Sequence, residues 1–193
     1  MKYLINLVLL ALIVVFAYFL YQSIAEPIRF TNAKAKRQKI VIENLKQIRK
    51  SQELYREITD SFATNFDSLI YVLKNDSIPV IKIIGNPDEI SSVKDVEYDT
   101  IYFSAIDSIK NLKIDLDSLK YVPFTNGKLF NIAAAEIDYQ KTKVNVVEVS
   151  TRYKEFMGKY ADKKYQKYET GYNPDNVLKF GDLNTPNLTG NWE

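Results

Sequence analysis

Asp115 and Asp117 stand two residues apart, and the loop YNPDNV, Tyr172 to Val177, sets Asn173, Asp175 and Asn176 close together. Carboxylates two apart on a strand share a side and can work as an acid/base pair, while a loop of carboxylate and amide oxygens can ligate calcium. Neither group completes its pattern. The loop supplies one acid, the EF-hand spacing is missing, and Asp and Asn are ordinary residues of solvated turns. The expectation is turn chemistry, with no catalytic residue, no metal and no cofactor. Two absences point the same way, since the 193 residues include no His and no Cys. That removes Ser-His-Asp and Cys-His nucleophiles, disulfides, thiolate sites and imidazole ligands. Carboxylate, Lys and Tyr chemistry stay open.

Tyrosine offers the other candidate surface. Tyr153, Tyr160, Tyr165, Tyr168 and Tyr172 are interleaved with Lys159, Lys163, Lys164 and Lys167, and Trp192 follows near the end of the sequence. Tyrosines beside lysines can form a protein or glycan interface, or stack on bases. The same spacing serves a core edge plugged by half-buried rings beneath solvated lysines. Tyr160, Tyr165, Tyr168, Tyr172 and Trp192 are the candidate partner-binding residues here. No recognition motif accompanies them, so no nucleic acid is expected.

These residues must be held by elements that start at a membrane. Leu4 to Tyr21 carries no charge and one strongly polar residue, Asn6. At 1.5 Å per residue it makes about 27 Å of helix, enough to span a bilayer. Tyr3, Tyr18 and Tyr21 lie towards its ends, at headgroup depth. A cleaved signal peptide would need a shorter apolar core and a clearer small-residue site than Ser23-Ile24-Ala25, so a retained anchor is expected. Residues 29–50 hold eight basic side chains against Glu43 alone, and with the formal net charge at +2 the rest of the chain is acidic. Positive-inside, taken literally, would put this neck in the cytoplasm. A basic neck can also lie on anionic headgroups, and the stripe Lys34 to Lys39 is assigned to that role.

Pro27 removes a helical hydrogen bond and clashes with the preceding turn, so a kink or interruption is expected there. A further helix should begin near Thr31, capped by Thr31 or Asn32. Along it Val41, Leu45, Ile48, Tyr55, Ile58 and Phe62 share one face, broken by Ser51 and Gln52. The face suits packing against a domain at its far end. Over its first half Val41, Leu45 and Ile48 are candidates for a partner helix, which would make homo- or hetero-oligomers through the stalk.

The stretch IRKSQELYREITDSFATNFDSLIYVL, residues 48–73, resembles the helix end of type IV pilins and type II secretion pseudopilins. Asn65 would cap a second helix opening on Phe66, Asp67, Ser68 and Leu69. The layout is similar too: an apolar start, a proline just past it, an amphipathic helix, then a strand-rich head. The chain also looks like a group of uncharacterised single-span proteins of Gram-negative bacteria, sharing the anchor, the "VPFT" text at Val122 to Thr125 and the Gly-Asn-Trp-Glu ending. The apolar run lacks the leader Gly and the fifth-position Glu of pilins. The resemblance therefore implies an anchored, pseudopilin-like component of an envelope secretion, motility or surface assembly, in the inner membrane with its head in the periplasm. Its partners would be other envelope-assembly proteins and the lipid bilayer.

Beyond Asn75 the text favours strands at 77–84, 97–106, 119–124, 128–137 and 143–150, with alternation starting at Val96. Asn126-Gly127 predicts a tight hairpin joining 119–124 to 128–137. A short helix is expected over 151–159, then an extended tail docked on the surface. The fold class is α+β: an anchor over 1–28, a helical stalk over 29–61 and an antiparallel-sheet head with short helices over 62–193. The competing expectation is a membrane-tethered binding module that recognises a glycan, peptidoglycan or partner protein through its Tyr-rich C-terminal region.

Overall fold

The computed structural model describes residues 1–84 and 97–193, so Val96 lies outside the described residues. One helix, α1, runs from Lys2 to Thr59 with Pro27 inside it, and neither Thr31 nor Asn32 is a cap. This corrects the expected interruption. Proline costs the Ser23 carbonyl its amide partner, but its fixed φ is itself helical. Helix formers without a single glycine flank it on both sides. The Thr31 hydroxyl, expected to cap, instead donates to the Pro27 carbonyl at 2.9 Å. At the far end Asp60 turns into the left-handed region, φ 57°, and its N–H bonds the Arg56 carbonyl.

The two halves of α1 meet different surroundings. Every residue from Met1 to Tyr21 is exposed, and the segment is long and apolar enough to cross a membrane. Further along, Phe30, Val41, Leu45 and Ile48 are fully buried. They belong to one continuous core with residues from the rest of the chain. The stretch expected as a helical stalk thus shares one core with the head on both sides of residue 61.

The head begins with α2, Phe66–Asn75, whose N-cap Asn65 accepts from the Ser68 N–H at 2.8 Å, as the sequence predicts. Phe66, Leu69 and Leu73 form its buried face, and α2 packs on α1. A two-stranded antiparallel ribbon follows, β1 (Ser77–Ile84) with β2 (Glu97–Ser104). The second strand stops at Ser104, earlier than the expected 106, because Ala105–Asn111 turns into helix α3 and buries Ala105 and Ile109.

A second sheet has the order β3-β4-β5, all antiparallel: β3 is Asn131–Tyr139, β4 Thr142–Arg152 and β5 Val177–Gly181. Central β4 buries Val146, Val147, Val149, Ser150 and Thr151, whereas edge β3 keeps only partial burial. Residues 119–124 do not form the expected strand. Their contact with the following segment is a single bridge, Tyr121 to Leu129, closed around a loop in which the Thr125 hydroxyl binds the Val122 carbonyl and the Lys128 N–H. The tight hairpin lies instead at Gln140-Lys141, both at positive φ (49° and 69°), between β3 and β4.

The C-terminal region is integral to the head. After the short helix α4, Tyr153–Phe156, come two single-turn 3₁₀ segments, Gly158–Tyr160 and Lys163–Lys167. β5 then adds to β4, and the last residues fold back on β5 through a bridge from Phe180 to Gly190. Asn191 completes the docking: its side chain accepts from Lys179 N–H and donates to the Val177 carbonyl.

Candidate functional site

The stripe Val41, Leu45 and Ile48 is 0% exposed and belongs to one core with the rest of the head, whose α2, β1 and β5 pack on α1. As candidate partner contacts these three are corrected: the intramolecular core already uses them. The polar break in that face is equally internal. Gln52, fully buried, donates to the Ala63 carbonyl at 3.1 Å and accepts from the Ala63 N–H at 2.9 Å.

The tyrosines converge on one residue of α1. Phe30 stacks on Tyr165 with centroids 5.2 Å apart and meets Tyr172 edge-on at 4.9 Å and Tyr160 at 5.8 Å. Tyr160, Tyr165 and Tyr172 are buried, and Tyr168 is half-buried with its hydroxyl donating to Glu26. Three of the four candidate tyrosines are therefore core rather than open surface. Tyr172 donates to the Tyr160 carbonyl at 2.6 Å. Burial first, then the negative charge of Asp162, pushes its pKa up to about 12, so it stays neutral. Trp192 is half-buried against Gly190, where an added Cβ would come within 2.3 Å of the indole, and its Nε1 is shielded with no hydrogen-bond partner among the described residues.

Two of the four basic residues in the stripe assigned to headgroups are committed to the head. Lys34 pairs with Glu169, and Arg37 donates to the Phe156 carbonyl while lying over the Phe124 ring at 4.9 Å. Lys36 and Lys39 are exposed, but 15 and 18 residues past Tyr21 they stand about 22 and 27 Å beyond the apolar run, measured along the helix. A headgroup layer is only about 5–7 Å deep. Farther along, Arg49 binds the Leu188 carbonyl and Glu193, fastening the last residues to α1.

The carboxylate candidates are turn groups. Asp115 is held below the usual carboxylate range by the Ser118 hydroxyl and the Asp117 N–H, and Asp117 pairs with Lys74 at 2.7 Å. Asp175 is lowered chiefly by its hydrogen bond from Lys154. Among the described residues no group of three or more His, Cys, Asp or Glu side chains is placed to hold a metal.

Two features lay beyond sequence reading. One is a cleft of about 430 Å³ where the head meets α1, lined by Tyr18, Phe19, Gln22, Glu26, Arg29, Lys159, Tyr160 and Tyr165. The other is the β1–β2 ribbon, which leaves Val80, Ile81, Ile101, Tyr102 and Phe103 between 37% and 68% exposed. In its register, Val80 and Ile101 lie on one side with Ile78 and Phe103, while Ile81 lies on the other with Tyr102. Both sides are apolar. The sequence pointed to strands here, but not to these apolar side chains being left exposed among the described residues while Ile78 is buried.

Compared with protein-family models, curated proteins and solved structures, the chain matches none of them.

Proposed function

We propose that this chain is a non-enzymatic, single-pass membrane protein of pilin-like or pseudopilin-like build, a component of an envelope secretion, motility or surface assembly. Its anchor lies in the inner membrane and its head in the periplasm. The observation that carries the reading is the division of one unbroken helix into a bare apolar half and a half embedded in an α+β head. Such a molecule is a rigid post, because the head grips the helix from Glu26 to Arg49 through ion pairs and hydrogen bonds as well as the core.

The assembly contact belongs to the ribbon rather than the helix. A two-stranded ribbon with apolar groups on both sides is marginal alone in water. Ala105 N–H donates to the Asp76 carbonyl, which fixes the bonding phase of the ribbon and turns the backbone groups of Thr100 and Tyr102 away from β1. On the other edge Pro79 blunts β1. No further strand among the described residues pairs with β2, and its outer edge favours a strand contributed by a neighbouring subunit of the assembly, added by backbone pairing. For the binding-module alternative, the burial of Tyr160, Tyr165 and Tyr172 narrows the tyrosine surface on which it would rely.

The test is affinity purification of the full-length, C-terminally tagged protein from its native membrane, followed by mass spectrometry, with protease accessibility of the tag scored in spheroplasts. Recovery of inner-membrane assembly proteins with a protease-sensitive tag is expected. The variant Tyr102→Pro should lose those partners while keeping the β1–β2 pairing, since the removed N–H faces outward. A protected tag with cytoplasmic partners would overturn both topology and function.

A further inference from the structure

The cleft at the helix–head junction is placed where a lipid headgroup must lie if α1 spans the bilayer, the reading on which this inference rests. Its lower wall is Tyr18, Phe19 and Gln22, the last turn of the apolar run and the residue after it, and its upper wall is Glu26, Arg29, Lys159, Tyr160 and Tyr165. Arg29 stands eight residues past Tyr21, about 12 Å up the helix. Its guanidinium nevertheless reaches back, donating to the Tyr21 hydroxyl at 3.1 Å. That places a permanent positive charge at the level of the interfacial tyrosines.

The head adds cations to the same level. Lys159 lines the cleft, Lys164 lies 5.0 Å over the ring of Tyr165, and Lys167 lies 4.6 Å over the ring of Tyr168, whose hydroxyl is on Glu26. All three lysines are exposed, and none pairs with a carboxylate of the described residues. The single acid in the cleft, Glu26, already accepts from Tyr168. The local charge is therefore net positive beside a partly apolar wall. That combination fits a phosphodiester with acyl chains below it, and a free anion would leave the Tyr18 and Phe19 side of the cleft unfilled.

We propose that this cleft binds the phosphodiester of an anionic phospholipid of the surrounding bilayer through Arg29 and Lys159, with Lys164 and Lys167 drawing the head down onto the membrane surface. The 3₁₀ segments thus become a lipid-facing foot, and Phe30 with its tyrosines is the joint that fixes the foot to the helix.

The experiment uses the full-length protein in nanodiscs of phosphatidylcholine with increasing phosphatidylglycerol, and native mass spectrometry after gentle release into detergent. Preferential retention of phosphatidylglycerol is expected, weakened about fivefold for each cation removed in Arg29→Gln and Lys159→Gln. Lys36→Gln, on the exposed face higher up the helix, should leave retention unchanged. Equal loss in all three variants, or no preference for the anionic lipid, would overturn the inference. So would retention of inorganic phosphate with lipid excluded, or a protein adduct in place of a lipid adduct when a photo-cross-linking residue replaces Lys159. Alkaline carbonate extraction of native membranes separates this from the anchoring itself. A chain that stays with the bilayer but shows no lipid preference refutes only the cleft, whereas a chain that washes off refutes the membrane-spanning reading beneath it.

Discussion

Gln52 holds the backbone of Ala63 from both sides, its amide nitrogen on the Ala63 carbonyl and its amide oxygen on the Ala63 N–H. Only one orientation of the amide satisfies both bonds. The pair closes the turn between α1 and α2 at a point sealed from water, where an unsatisfied backbone group costs about 1–3 kcal/mol. Gln52→Ala should therefore destabilise the protein by about 3 kcal/mol, read as a lower urea midpoint of the detergent-solubilised chain. Gln52→Glu keeps the acceptor, loses the donor and buries a charge, so it should be no better tolerated. A shift under about 0.5 kcal/mol in Gln52→Ala would mean that water satisfies Ala63 instead.

Phe30 gives the second prediction. One side chain on α1 meets Tyr160, Tyr165, Tyr168 and Tyr172, more than 125 residues away in sequence. Phe30→Ala should cost about 3–5 kcal/mol and act locally first. Hydrogen exchange should rise across residues 153–172 before it rises in β3 and β4. Uniform exposure of the whole head would show that the foot and the sheet unfold as one unit.

How much of this could be read beforehand divides along the distinction between local and distant causes. The apolar span, the Asn65 cap and most of β1, β3 and β4 follow from residues a few positions apart. The role of the tyrosines does not, because the ring they surround lies at the other end of the chain. Val41, Leu45 and Ile48 looked available to a partner helix for the same reason: they join one core with residues far along the chain, such as Leu178 and Phe180. The misplaced hairpin has a local cause. Gln140 and Lys141 adopt the left-handed conformations usually left to Asn and Gly, at an estimated cost of 1–2 kcal/mol each, repaid by the long β3–β4 ladder. Asn126-Gly127 carried the better turn signal but lacked paired strands on both sides.

Glycine positions give a third test with an internal control. Gly181 has φ 76°, and a Cβ there would lie 2.0 Å from the Val147 carbonyl oxygen across the β4–β5 pair. Gly127 has φ 77° with nothing within 4 Å. Both substitutions to Ala incur the left-handed penalty of about 1–2 kcal/mol, but only Gly181→Ala must also push two strands apart. Gly127→Ala should fold with a modest drop in thermal midpoint, and Gly181→Ala should lose β5 and with it the docked C-terminus. Equal effects would refute the tight β4–β5 approach.

The last prediction concerns alkaline pH. Burial lifts the Tyr172 pKa to about 12, against about 10 in an unfolded chain, and Tyr153 is raised as well, mainly by burial and then by Glu169. Between those values the unfolded state releases its proton while the native state keeps it. The unfolded state then binds fewer protons, so stability must fall as pH rises through this window. The contribution is complete below about pH 10 and is lost progressively towards about pH 12. Urea midpoints of the full chain in detergent, measured from pH 8 to 11.5, should decline above pH 10. Tyr172→Phe cannot ionise, so its decline should be shallower even though loss of the hydroxyl bond to the Tyr160 carbonyl lowers its stability at pH 8. Parallel curves for the two proteins would place the Tyr172 hydroxyl in contact with water and the joint between foot and helix open.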